Sequence, residues 1–229
     1  MSATAPKSAL PTTGLADVPS GRRVTLEPLL RDLVTDGLVT KEDAERILSD
    51  RRIARGEQHP LVILDEQKLK DPRNPRKLLH LEMLTEWMAG KVGMPYLHID
   101  PFKIDFGAVT KLMSTAYAQR ARILPVGVNA REVTIATCEP FVRDWEASLT
   151  QILRLEIKRV IANPLDIQNY IVEFFNLAKS VKGATEKDQG AYSSIANFEQ
   201  LVQLGKSGKL DANDQHVIHI CDWLFNYAF

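Results

Sequence analysis

The chain has 229 residues, enough for one large or two small domains with tails, and its 45% apolar and 25% charged content is that of an ordinary globular protein. Twenty-nine basic residues offset 29 acidic ones, so no net field draws the chain to nucleic acid or to an anionic membrane. Two distant cysteines, Cys138 and Cys221, with no span-length apolar run and no signal-peptide core, argue against a disulfide framework and direct membrane insertion, and predict a cytoplasmic setting.

Residues 1–22, opening "MSATAPKSALPTTGLADVPS", have little to bury and predict a disordered tail. From Thr25 the pattern turns helical: Leu26, Leu29, Leu30, Leu33 and Val34 form one apolar stripe, and Gly37 stops the helix. Thr40 caps the next helix with Asp43 as capping-box partner; Ala44, Ile47 and Leu48 form its inward face, and Gly56 ends it. The short apolar run Leu61-Val62-Ile63-Leu64 precedes a turn-rich segment from Asp71 to Pro75. A third helix is expected from Arg76 to Val92, with Leu78, Leu81, Leu84, Trp87 and Met88 inward, closed by Gly93 and Pro95.

Beyond Pro95 the pattern changes. Tyr96 to Ile99 is a strand candidate, and Ile104 to Met113 a helix with Asp105 at its N-cap. Ile123–Val128 and Glu132–Thr137 flank Asn129-Ala130-Arg131 as a hairpin, and Pro125 places the first of these strands at a sheet edge or a break. A helix with Trp145, Leu149 and Ile152 follows, then a strand from Leu155 to Ile161. Asn163-Pro164 opens a last helix through Ile167, Ile171, Phe174, Phe175 and Ala178. Residues 180–194 are polar and glycine-containing, a flexible linker. The apolar run His216 to Phe229 predicts a helix that belongs to a further domain.

The fold class expected is therefore α+β: an all-helical subdomain at 23–95, a small α/β sandwich at 96–179, the linker at 180–194, and the helical start of an incomplete next domain at 195–229.

Gly205-Lys206-Ser207 matches the end of a phosphate-binding loop. The loop also requires a glycine five residues before Gly205, where Gln200 stands, and a preceding strand, where Phe198 to Leu204 reads as helix. Gly205 reads instead as a helix C-cap.

The segments "GLVTKEDAERIL", "WMAGKVGMPYLHIDPFKIDFGAVTKL", "ARILPVGVNAREVTIATCEP" and "IKRVIANPLDIQNYI" resemble the N-terminal region of the type II secretion and type IV pilus assembly ATPases, over roughly residues 24–178. Its most specific parts are Gly93-Met94-Pro95-Tyr96 with Ile99-Asp100-Pro101, and the segment from Leu124-Pro125 to Glu139-Pro140. Asp214 to Phe229 resembles the first helix of the following domain. The resemblance implies a noncatalytic module, with ATP and Mg expected only at an ATPase core beyond residue 229. It also implies docking on the cytoplasmic domain of an inner-membrane platform protein, and movement against the ATPase core of its own full-length chain.

Some members of that family bind cyclic di-GMP in the helical unit, through two tandem copies of a motif that begins Arg-Leu-Gly. Aligned on Gly37, this chain keeps Leu29, Leu33 and Leu48, but has Pro28 for the arginine, Leu30 for the glycine, Ala44 for a leucine and Arg51 for the final glutamine. A second copy would end at Leu84, Met88 and Lys91 with no matching start. The candidate cyclic di-GMP contacts are thus Leu29, Leu33, Gly37, Leu48, Arg51, Leu84, Met88 and Lys91. The lost arginine removes a bidentate donor, and the gained Leu30 puts a side chain where backbone must approach the ligand.

His216, His219 and Cys221 have helical spacing but no fourth ligand nearby, so a structural role is read and no metal site is assigned. Arg51, Arg52, Arg55, Lys68, Lys70, Arg73, Arg76 and Lys77 form a basic stretch, best read as a solvated face. No nucleophile–base arrangement is legible, so no catalytic residue is assigned. Two alternatives to a docking module stand: a cyclic di-GMP sensor of the same family, and an ATPase in its own right, which the glycine spacing opposes.

Overall fold

A computed structural model of the chain describes residues 14–50, 53 and 58–187. Arg51, Arg52, Arg55, the tripeptide Gly205-Lys206-Ser207, and His216, His219 and Cys221 lie outside the described residues.

Two compact units share the chain. The first takes the described residues up to His98 together with Ala136–Arg154 and Arg159–Ile167; the second takes Ile99–Ile135, Leu155–Lys158 and the described residues from Gln168 on. The units therefore cross the chain order that a boundary between residues 95 and 96 assumes.

The first unit grows from the apolar stripes. In α1 (Leu26–Thr35), Leu29, Leu30 and Leu33 are fully buried. Gly37 takes φ +69°, the left-handed geometry that ends a helix without a Cβ penalty, and Leu38 N–H returns to the Leu33 carbonyl at 2.9 Å. Thr40 caps α2 (Lys41–Ser49) as expected, its hydroxyl accepting from Asp43 N–H at 3.1 Å, while Asp43 takes part by accepting from that hydroxyl at 2.9 Å and not as a capping-box partner of the Thr40 backbone. The run Leu61–Leu64 is helical, within α3 (Pro60–Glu66). Proline at its first position and the His59 ring accepting from Leu61 N–H start it, and all four apolar residues are buried. Leu29, Leu33, Leu61, Leu64, Leu84 and Met88 share one core with Leu15, Ile47 and Ile161. Each such side chain contributes about 1.5–3 kcal/mol of apolar burial.

Three expectations for this unit are corrected. A short antiparallel hairpin, β1 (Lys70–Asp71) and β2 (Asn74–Leu78), interrupts the helices, and the next helix, α4 (Leu81–Lys91), begins at Leu81 instead of Arg76. Two paired residues on one side and a Pro75-Arg76-Lys77 stretch on the other carry no alternation that marks a strand. The tail also has order before residue 22. Leu15, 1% exposed, packs into the core within a 3-10 turn at Leu15–Asp17, and its N–H donates to Asp32 at 2.9 Å. An added Cβ at Gly14 would sit 2.5 Å from the Asp32 carboxylate and would have to displace that side chain from its bond to Leu15 N–H. Finally, Tyr96–Ile99 forms a single parallel bridge, Tyr96 to Ile161, closed by Leu97 N–H to the Ile161 carbonyl and Ile161 N–H to the Pro95 carbonyl, both 2.8 Å. Pro95 lacks a donor and Pro101 follows shortly, so pairing cannot extend.

Hydrogen bonds explain why residues from the hairpin's far end return to the first unit. Gly21 N–H donates to the Phe141 carbonyl at 2.7 Å, Val24 N–H to Glu139 Oε2 at 2.9 Å, and His59 Nε2 lies 3.1 Å from the Cys138 carbonyl. In α7 (Asp144–Leu153) Trp145 and Leu149 are buried, whereas Ile152 is 72% exposed and faces solvent.

In the second unit the predicted helix from Ile104 to Met113 is two short helices. Asp105 does cap α5 (Phe106–Val109), accepting from Ala108 N–H at 2.8 Å, but Ser114 then caps a separate α6 (Thr115–Ala121). A second cap within ten residues overrides a continuous helix. Both helices lie on β3 (Ile123–Val128), whose sheet has the order β3-β4-β5 with β4 (Glu132–Thr137) and β5 (Glu156–Ile161). Pro125 sits in the edge strand, where a missing N–H costs least. Lys158 and Glu132 pair across β5 and β4. The last helix, α8 (Pro164–Lys187), opens as expected with Asn163 accepting from Leu165 N–H at 2.9 Å. It runs through residues 180–187, where a linker was expected; one glycine, Gly183, weakens a helix without ending it. The fold class is α+β. No helix among the described residues is long and apolar enough to cross a membrane.

Candidate functional site

The residues singled out by the motif separate into two groups. Leu29, Leu33, Leu84 and Met88 are 0–1% exposed in the core of the first unit, and Leu48 is half-buried against it. The four buried side chains hold helices together and have no surface to offer a ligand. Lys91, exposed in the last turn of α4, meets Asp36, the residue before Gly37 at the end of α1. Arg51 lies outside the described residues.

Asp36 organises that meeting point. It is the C-cap residue of α1, and its carboxylate accepts from Trp87 Nε1 at 2.8 Å and from Lys91 Nζ at 2.7 Å. Burial pushes its carboxyl up, but the Lys91 and Trp87 hydrogen bonds, with the charges of Lys91 and Arg73, outweigh this and hold it below the ordinary value of 3.8. The α4 residues Trp87 and Lys91 are one turn apart, so a single acid fixes both. Beside them opens a shallow cleft of about 540 Å³ lined by Leu38, Arg73, Met83, Trp87 and Lys91, with Glu86 and Gly90. Arg73 reaches it from the hairpin turn, where Asp71 accepts from the Arg73 backbone N–H at 2.9 Å and from Nε at 3.2 Å. The cleft is thus lined by a guanidinium paired with Asp71, an ammonium paired with Asp36, an indole whose N–H is held by Asp36, and the Glu86 side chain.

The sequence pattern places Trp87 on the core face and Arg73 in a solvated basic stretch, and marks nothing at Asp36. Lys68, Lys70, Arg76 and Lys77 do sit exposed. Among the described residues of that stretch, Arg73 alone lines the cleft, because a hairpin turns it there. No short-range pattern links Asp36 to Trp87, which are 51 residues apart.

Glu139 of the Glu139-Pro140 pair is 2% exposed and accepts from Val24 N–H, so its role is to bind the start of the helical segment. Beside it, His59 Nδ1 accepts from Leu61 N–H at 3.2 Å while Nε2 faces the Cys138 carbonyl. That pattern requires the proton on Nε2 and occupies both ring nitrogens, so His59, Cys138 and Glu139 are a structural cluster and not a ligand set.

A model of the MshEN domain matches residues 92–181. The type IV pilus assembly ATPase TfpB of Acinetobacter baylyi is 36% identical over 205 residues, which are 87% of this chain and 34% of that protein. The chain therefore spans about a third of the length of this curated relative. Among solved structures, that of MshE with cdg has a TM-score of 0.46 at 21% identity, over 64% of this chain and 97% of the other. The N-terminal domain of XpsE has a TM-score of 0.39 at 13% identity, over 66% and 96%. The cleft around Asp36 precedes the matched MshEN segment, whereas β3 to β5, α7 and the start of α8 lie within it. Residues 92–181 match the MshEN domain model, and over 205 residues the chain is similar to a type IV pilus assembly ATPase.

Proposed function

We propose that this chain is a noncatalytic docking and regulatory module of a type IV pilus assembly or type II secretion ATPase. It couples the motor to the cytoplasmic domain of an inner-membrane platform protein. The observation that carries this reading is 36% identity to a pilus assembly ATPase over a stretch that makes up 34% of that protein. The residues that bind and cleave ATP with Mg belong, on this reading, to an ATPase core joined to the module, since Gln200 breaks the one phosphate-loop candidate. The module then works in the cytoplasm and meets the inner membrane through its partner. Exposed apolar side chains such as Ile152 and Leu165 supply anchors for that contact. The test is calorimetry of the 229-residue chain against cytoplasmic domains of pilus and secretion platform proteins, with phosphate release measured in parallel. Binding without turnover is expected; ATP hydrolysis by this chain, or no binding to any platform domain, refutes the reading.

The cleft favours a second reading, a cyclic di-GMP sensor in which ligand changes helix packing. Arg73, Lys91 and Trp87 present the charge and stacking surface a cyclic dinucleotide needs. On this reading Arg73→Ala and Trp87→Ala abolish the heat of cyclic di-GMP binding, and silence of the unmodified chain at high micromolar ligand removes it.

A further inference from the structure

A second polar cluster lies in the first unit, where three chain segments converge. Glu82 stands in the first turn of α4, His98 follows the Tyr96 bridge, and Asp166 stands in the first turn of α8. One ligand-type atom from each lies within 4.8 Å of the others. Glu82 is held from both sides: Oε1 accepts from the Tyr96 hydroxyl and meets His98 Nδ1 at 2.7 Å, and Oε2 accepts from Asn163 Nδ2 at 3.2 Å. Asp166 is half-buried beside Glu82, and no hydrogen-bond donor among the described residues sits on its carboxylate. Burial, then the Glu82 charge, push the Asp166 carboxyl above its ordinary value of 3.8, with His98 opposing.

We propose that Glu82, His98 and Asp166 form a binding site for a divalent transition cation of zinc type, with water completing the coordination shell. Two carboxylates and one imidazole are a donor set this chemistry favours, and three protein ligands plus water is a standard zinc arrangement. Calcium would want six or more oxygens, and magnesium an octahedron with little use for imidazole. The dication neutralises two carboxylates that otherwise face one exposed imidazole. Tyr96 and Asn163 orient Glu82 from outside, the supporting contacts that metal-bound carboxylates need. Tetrahedral bonds of about 2.1 Å place ligand atoms about 3.4 Å apart, so His98 Nδ1 must move out from its 2.7 Å contact with Glu82 Oε1 while the wider separations, all within 4.8 Å, close up. The His98 side chain, 70% exposed, has the freedom to make that movement. Bound metal would tie α4, the Tyr96 segment and the start of α8 together. Three ligands at positions 82, 98 and 166 have no motif spacing, which is why the sequence alone marks no metal site.

The experiment is a Co²⁺ and Zn²⁺ titration of the untagged 229-residue chain, read by visible absorption for cobalt and by calorimetry for zinc. One ion per chain is expected, with His98→Ala and Asp166→Asn each weakening zinc about tenfold or more. Their far-UV spectra should match the parent's, since His98 is exposed and Asp166→Asn keeps the side chain's size. A His216→Ala/His219→Ala double variant should bind unchanged. No binding at 100-fold molar excess of zinc, affinity equal to the parent's in either single variant, or loss of binding in the double variant overturns the proposal.

Discussion

Removing the Glu139 carboxylate tests whether the first unit is held by a contact across the chain. Glu139 is 2% exposed, its donor partner Val24 is 3% exposed, and their hydrogen bond is 2.9 Å long. In Glu139→Ala the Val24 N–H is left without its acceptor where water cannot reach, which costs about 1–3 kcal/mol. The lost side-chain packing adds about 1 kcal/mol. Glu139→Gln keeps an acceptor oxygen of the same size but loses the charge that roughly doubles such a bond, and should cost about 1 kcal/mol. The expected stability order is therefore parent, then Glu139→Gln, then Glu139→Ala, the last lower by about 2–4 kcal/mol. Urea unfolding at neutral pH measures the order, and amide exchange at Val24 locates it, because that N–H should lose protection first. Glu139→Ala within about 0.5 kcal/mol of the parent, with Val24 still protected, would refute the reasoning.

Asp36→Ala removes the acceptor of both Trp87 and Lys91 and should destabilise by about 1–2 kcal/mol at pH 7, with quenched or shifted Trp87 fluorescence. Its carboxyl lies below 3.8 in the fold, so the stabilisation is present above that pH and fades as pH falls through the lower folded value; urea midpoints of parent and variant should converge there. Asp166 has the opposite sign. Its folded carboxyl is raised above 3.8, so the protonated form favours the fold and stability falls as pH rises through the folded value. In EDTA, Asp166→Asn should therefore be more stable than the parent at pH 7, and that gain should shrink below pH 3.8. Arg154, the exposed C-cap of α7, has φ +54°; Arg154→Gly relieves that left-handed strain and should raise stability by about 0.5–1 kcal/mol in thermal melts.

Features that close within three or four residues were legible. Thr40 with Asp43, Asp105, Gly37 and Asn163-Pro164 act locally, and each does in the structure what its residue type implies. The hairpin around Asn129 and the inward faces of α1 and α2 follow from periodicity alone. Of the candidate ligand residues, periodicity identified Leu29, Leu33, Leu84 and Met88 as apolar positions, but not that all four would be spent on the core.

What the sequence by itself determined is the set of elements with their own punctuation, and the kinship that their residues carry. Tertiary structure alone decided that Asp36 meets Trp87 and Lys91, that Glu139 reaches Val24 across 115 positions, and that Asn163 meets Glu82 across 81. Those meetings depend on how whole helices and strands stack to bury Leu29, Leu33, Leu84 and Met88. Apolar burial is non-directional, so it specifies that a core forms without naming which polar side chains its closure brings face to face.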